Sequence, residues 1–291
     1  MQLSGDSAPV AAGYRPGRLL TEGDRVTTTM GQAPSSTELL AALRNSHDRL
    51  VATVGPLTSE QLAVQSYDDD WTIAQVASHL GASAEIWRLY LGAGLARTDG
   101  PGTEQFHLIW DQWNAKPGLQ QARDAVAADT ALLDQAGQLS PAERESWQLD
   151  MFGRQTDLPG MLRMRLSEHA LHTWDMVVAL DPAATVADDA IGLIVDTLPM
   201  LAHWAGRGSP EPVTVHVVTT DPGREFLLEL TADGATLTPA GVPDNATATL
   251  RLPAEALVRL VYGRLDPDHT PSSVEARQVD LDTLRRSFPG I

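Results

Sequence analysis

The chain has 291 residues, no cysteine, and a formal net charge of −17 with a pI near 4.7. That charge works against binding nucleic acid or an anionic membrane surface, and no apolar run reaches the length of a membrane span. Without cysteine there is no disulfide, as in a reducing cytosol, and no thiol of the chain's own, so sulfur chemistry would need a thiol from outside.

Residues 1–34 are rich in Gly, Ala, Pro, Ser and Thr without an apolar period, and read as a disordered tail. They lack the apolar stretch of a secretory signal, so the expected location is cytoplasmic, and Met30 offers an alternative start. Helical patterning begins near Ser36. Leu39, Leu40, Leu43, Leu50, Val51 and Val54 form a stripe that stops at Gly55-Pro56. A second helix opens at Thr72, which has capping-box spacing with Gln75, and carries Ile73, Val76, Leu80, Ala84, Trp87 and Leu91. The Gly-rich run from Gly92 to Gly102 is expected to end it. Trp110 and Trp113 fall in a connection, and a third helix spans about Leu119 to Ala136.

A fourth helix is expected from Pro159 to Asp181-Pro182. Its core stripe is Leu162, Leu166, His169, Thr173, Val177 and Leu180; beside it runs a polar stripe of Arg165, Glu168, His172 and Asp175. The helix is apolar nearly all round, so the polar stripe is expected inside a bundle, where polar groups need partners. Glu168 and His172, four apart, stack on one face. His79 lies on the second helix. One carboxylate and two imidazoles projecting from facing helices would hold a divalent metal and leave positions open, as a catalytic zinc requires. The alternative is a hydrogen-bonded Glu168–His172 pair with no metal. His169 lies about 60° from His172 around the helix and is assigned to the core.

Asp175, one turn past His172, is either an acceptor that fixes the imidazole tautomer or a surface charge. Arg165 either neutralises Glu168, holds a substrate carboxylate, or is exposed. Trp71 and Trp174 are read as packing residues. His47, His107, His203, His216 and His269 show no partner pattern and are read as structural.

A fifth helix, about Val186 to Ala205, leads to a change of period. VTVHVVTT, EFLLELTA, ATLTPA and ATATLRL read as short strands between turn residues. A helix over 253–262, a possible strand at VEARQVD and a last helix at LDTLRRSF follow. The expected layout is a tail over 1–34, a helical bundle over 35–182 and an α+β domain over 183–291.

Three pieces carry a resemblance: WTIAQVASHL with Trp71 and His79; RLSEHALHTWDMVVAL with Arg165, Glu168, His172 and Asp175 in an Arg-x-x-Glu-x-x-x-His-x-x-Asp pattern; and ALVRLVYGRLDPD followed by a closing strand and helix. In this order and spacing, over residues 36–291, the chain resembles the mycothiol-dependent maleylpyruvate isomerase family, within the wider DinB-like group of metal-binding four-helix bundles. The resemblance implies a two-domain α+β fold, a DinB-like bundle followed by a sterol-carrier-like domain. It implies His79, Glu168 and His172 as ligands of a divalent metal, foremost zinc, and mycothiol, an actinobacterial thiol, as cosubstrate. It also implies an active-site arginine from the C-terminal domain, for which Arg264 is the candidate.

The motifs specify thiol activation and nothing specifies a diacid substrate. The first expectation is therefore a mycothiol S-transferase acting on a small electrophile, as a monomer or homodimer. Maleylpyruvate cis–trans isomerisation is the second. A non-catalytic, metal-stabilised module for an apolar ligand is the third.

Overall fold

The computed structural model describes residues 33–68, 70–151, 153–241 and 245–290. The expected tail, with Met30, lies outside these apart from residues 33 and 34. The chain separates into two compact units that divide between Ile194 and Val195.

The first unit contains α1 (Ser36–Val54), α2 (Ser59–Leu62), α3 (Ile73–Ala96), α4 (Thr103–Asn114), α5 (Gly118–Gly137), α6 (Pro141–Ser146), β1 (Gln148–Met151), β2 (Arg154–Asp157), α7 (Leu158–Val178) and α8 (Asp188–Ile194). Four long helices close a ring: α1 packs on α5 and α7, and α3 packs on the same two. Local chemistry sets where they begin. Ser35 with Glu38 caps α1, and Thr72 with Gln75 caps α3, each pair satisfying two backbone donors that a helix start leaves open. Leu50, Ile73, Val76, Leu80, Trp113 and Met176 meet in one core. Each large side chain so buried contributes roughly 1.5–3 kcal/mol.

The structure departs from the sequence expectation at several places, each with a physical reason. The connection carrying Trp110 and Trp113 is a helix, α4. Trp113 is buried against α3 at Gly81, where a Cβ would stand 2.2 Å from the indole. The second helix does not stop at Gly92. It runs on to Ala96, because Gly94 makes room for Trp147, whose Nε1 donates to the Leu91 carbonyl at 2.9 Å. The antiparallel β1–β2 hairpin was not anticipated; three of the four β2 residues are exposed, so no apolar alternation marks it. The single fifth helix is instead α8, a 3₁₀ turn (Val195–Thr197) and α9 (Leu198–Ala205). Pro199 stands in the first turn of α9, where its missing N–H costs nothing. Helix α8 packs on α1 and α7, so the compact unit that holds the bundle runs to Ile194.

The second unit is built on a five-stranded sheet in the order β5-β4-β3-β6-β7. The strands are β3 (Val213–Thr220), β4 (Arg224–Leu230), β5 (Ala235–Pro239), β6 (Ala248–Pro253) and β7 (Glu275–Arg277). β3 and β6 are parallel; the other pairs are antiparallel. Side chains alternate across the pleat, so Val215 and Val217, Phe226 and Leu228, and Leu250 and Leu252 line one buried face. Helix α9 packs on β5, and α10 (Ala254–Val261) packs on β3 and β6; α11 (Leu281–Ser287) closes the chain. The fold class is thus the expected one, a helical bundle followed by a sheet-containing α+β domain. No helix among the described residues is long and apolar enough to cross a membrane.

Candidate functional site

The polar residues of the bundle converge where α3 faces α7. On α3, His79, Ser83 and Trp87 follow one another at four-residue intervals and share a face. On α7, Arg165, Glu168, His172 and Asp175 do the same at three- and four-residue intervals. The Glu168 carboxylate is the hub. Its Oε1 accepts from Ser83 Oγ at 2.6 Å and lies 3.2 Å from His79 Nε2. Its Oε2 accepts from Trp87 Nε1 at 2.7 Å and from Arg165 Nη1 at 3.2 Å. Burial alone would raise the pKa of this carboxyl. The hydrogen bond from His79, the Arg165 charge and the Ser83 hydroxyl outweigh it and hold the group well below the usual carboxylate range.

His172 Nδ1 is 2.9 Å from Asp175 Oδ2, and the His79 and His172 rings lie 4.6 Å apart, centre to centre. The Trp71 indole lies beside both, 5.0 Å from His79 and 6.1 Å from His172. His79, Glu168 and His172 keep 24, 21 and 15 % of their side-chain surface exposed, whereas Arg165 and Asp175 keep 1 and 0 %. The three candidate ligands therefore open to solvent, on a buried and charged support.

The structure brings His79, Glu168, His172, Arg165 and Asp175 together. Glu168 is partnered by Ser83, His79, Trp87 and Arg165. Arg165 is buried rather than exposed, and both ends of its fork are engaged. Nη1 donates to Glu168; Nη2 donates to Asp129 Oδ1 at 2.8 Å and to the Leu80 carbonyl at 3.2 Å. Arg264 belongs to the second unit, where Nη1 donates to the Tyr262 carbonyl at 3.0 Å. His169 is fully buried, as expected of a core residue.

Sequence reasoning missed four participants. Ser83 and Trp87 carry a signal that was available, their spacing from His79 along one helix face. Asp129 and His47 carry none. They meet at 2.9 Å from positions 82 residues apart.

Two ligands of one tetrahedral zinc, each about 2.0–2.2 Å from the ion, stand roughly 3.3 Å from each other. The His79–Glu168 separation matches that edge, and the two-imidazole, one-carboxylate set suits a divalent cation. Among the described residues no three His, Asp or Glu side chains form a complete metal-holding group.

These features define a class, a helical bundle with an inward histidine–carboxylate cluster followed by a five-stranded α+β domain. Residues 43–177 match the family model described as mycothiol maleylpyruvate isomerase N-terminal domain, and residues 181–284 match the one described as MDMPI C-terminal domain. The chain belongs to the mycothiol-dependent maleylpyruvate isomerase family. A crystal structure of the mycothiol-dependent maleylpyruvate isomerase is similar, with a TM-score of 0.62 at 15 % identity, over 85 % of this chain and 95 % of that one. A histidine-to-alanine mutant of such an isomerase matches with the same figures. No curated protein matches the chain in sequence.

Proposed function

We propose that the chain is an enzyme that uses mycothiol to isomerise maleylpyruvate, or a similar cis-configured conjugated diacid, with His79, Glu168 and His172 holding a divalent cation, foremost zinc. The observation that carries this reading is His79 set between Glu168 and the His172 ring, in a chain both of whose domains match the family. Motifs alone favoured S-transfer; membership in the family reverses that order.

An ordinary thiol with a pKa of about 8.5 is about 3 % ionised at pH 7. A bound cation would supply the missing ionisation, by deprotonating the thiol outright, and would fix the position of its sulfur. The chain's own residues do the rest. Ser83, Trp87 and Arg165 keep Glu168 ionised and aimed. Asp175 fixes the His172 tautomer with the proton on Nδ1, so that Nε2 is the ligating atom. Trp71 walls the two imidazoles on one side. Arg165, engaged at both ends, serves Glu168 rather than a substrate carboxylate.

The reaction itself needs no net thiol. A thiolate adds to one alkene carbon, and the alkene electrons move into the conjugated carbonyl. The former double bond, now single, rotates. Return of the electrons restores the double bond in the trans configuration and expels the thiolate.

The test is to incubate the full chain and zinc with maleylpyruvate and mycothiol, the thiol at a small fraction of the substrate. Complete conversion to the trans isomer, lost in His172→Ala, is the expected result. One thiol consumed per substrate would establish S-transfer instead. Neither reaction, together with loss of the fold on chelation, would leave the metal-stabilised binding module.

A further inference from the structure

Behind the three candidate ligands lies a second polar cluster, wholly inside the bundle. Asp129, on α5, is 1 % exposed, and it gathers three cationic or polar side chains from two other helices. Arg165 Nη2 donates to its Oδ1 at 2.8 Å; His47 Nδ1 stands 2.9 Å, and His169 Nε2 3.2 Å, from its Oδ2. Ser46 Oγ in turn lies 2.8 Å from His169 Nδ1.

The link to the site is the Arg165 guanidinium. Its planar fork reaches Glu168 with one nitrogen and both Asp129 and the Leu80 carbonyl with the other. Leu80 follows His79 on α3. One rigid group thus ties α7, which carries Glu168 and His172, to α3, which carries His79, and to α5. A guanidinium holds such a geometry because its donors are fixed in one plane. Burying these charges is costly, so their contribution to stability alone is a weak reason for the arrangement. Its geometric effect is specific: it sets Glu168 against the backbone beside His79.

We propose that Asp129 is a positioning residue for the candidate metal site, acting through Arg165 to hold Glu168 in register with His79. The inference rests on the metal reading given under Proposed function. Partners that orient metal ligands typically change metal affinity 10–100-fold when removed, and a partner one step further out should act at the lower end of that range.

The experiment is a titration of the full chain with zinc ion alone, against a competing chelator. It compares wild type, His172→Ala, Asp129→Asn, Arg165→Gln and the Asp129→Asn/Arg165→Gln double variant, with helical circular dichroism recorded for each. Asp129→Asn should bind zinc roughly tenfold more weakly at wild-type helicity. The double variant should bind no more weakly than Arg165→Gln alone, because both act by one route and their effects cannot add. Wild-type affinity in Asp129→Asn overturns the inference, as does a double variant that loses the sum of both effects. If Asp129→Asn alone does not fold, Arg165→Gln decides the matter: it should bind zinc roughly tenfold more weakly at wild-type helicity, and wild-type affinity there overturns the inference. Zinc binding in wild type but not in His172→Ala keeps the metal reading whatever Asp129 does. Failure of wild type to bind zinc removes that reading and this inference with it.

Discussion

His172 and Asp175 stand three residues apart on α7 with Nδ1 and Oδ2 2.9 Å apart, the carboxylate fully buried and the imidazole part-exposed. This contact orients the ring and places the proton on Nδ1 before any ligand arrives. The same contact settles the two readings of Asp175 left open by sequence, since a surface charge would not be buried.

Asp175→Asn tests that contact. The amide keeps the shape and replaces a charged acceptor with a neutral one. Zinc affinity should fall roughly tenfold or more, with the helical signal unchanged. A competition titration with a chromophoric chelator measures this, and unchanged affinity would detach Asp175 from the site.

The His47–Asp129 contact predicts a pH dependence of stability. The hydrogen bond to Asp129 raises the His47 imidazole above its ordinary value of 6.5, against the opposing effect of burial. The folded state therefore holds this proton more tightly than the unfolded chain does. The resulting stabilisation is fully present below the unfolded value and is lost as pH rises through the higher folded value. His47→Gln should cost most stability near pH 6 and progressively less at alkaline pH. Denaturant midpoints of both proteins across that range check this. A cost that does not vary with pH would contradict it.

Two glycines two residues apart on α3 should respond with opposite signs. At Gly94 an added Cβ would stand 2.2 Å from the Trp147 indole, which is itself anchored on Leu91; Gly94→Ala should destabilise by about 1–3 kcal/mol. At Gly92 nothing lies within 4 Å, and Gly92→Ala should stabilise by about 0.5–1 kcal/mol through helix propensity. Thermal melts of the two variants give the signs directly.

Those glycines also show what was legible in the sequence and why. Apolar periodicity and the Thr72–Gln75 capping pair located α3 and its first turn, since both signals are local. Its far end was hidden, because Gly92 and Gly94 look like a stop unless the packing of Trp147, more than fifty residues away, is known. Strands β3 to β6 alternate cleanly and were readable; the exposed β1–β2 hairpin does not and was not. At the site, the four-residue spacing of Glu168 and His172 was visible because a helix repeats it. The Asp129 cluster was invisible for the converse reason. Its members come from α1, α5 and α7, and no spacing along the chain announces that they meet.

The most direct test of the account is the metal content of the purified full chain, measured by elemental mass spectrometry beside His79→Ala and His172→Ala. The account predicts about one zinc per wild-type chain and little in either variant, with all three folded. No bound metal in wild type after zinc is added back would contradict it, and would leave Glu168 and His79 as a part-exposed polar pair.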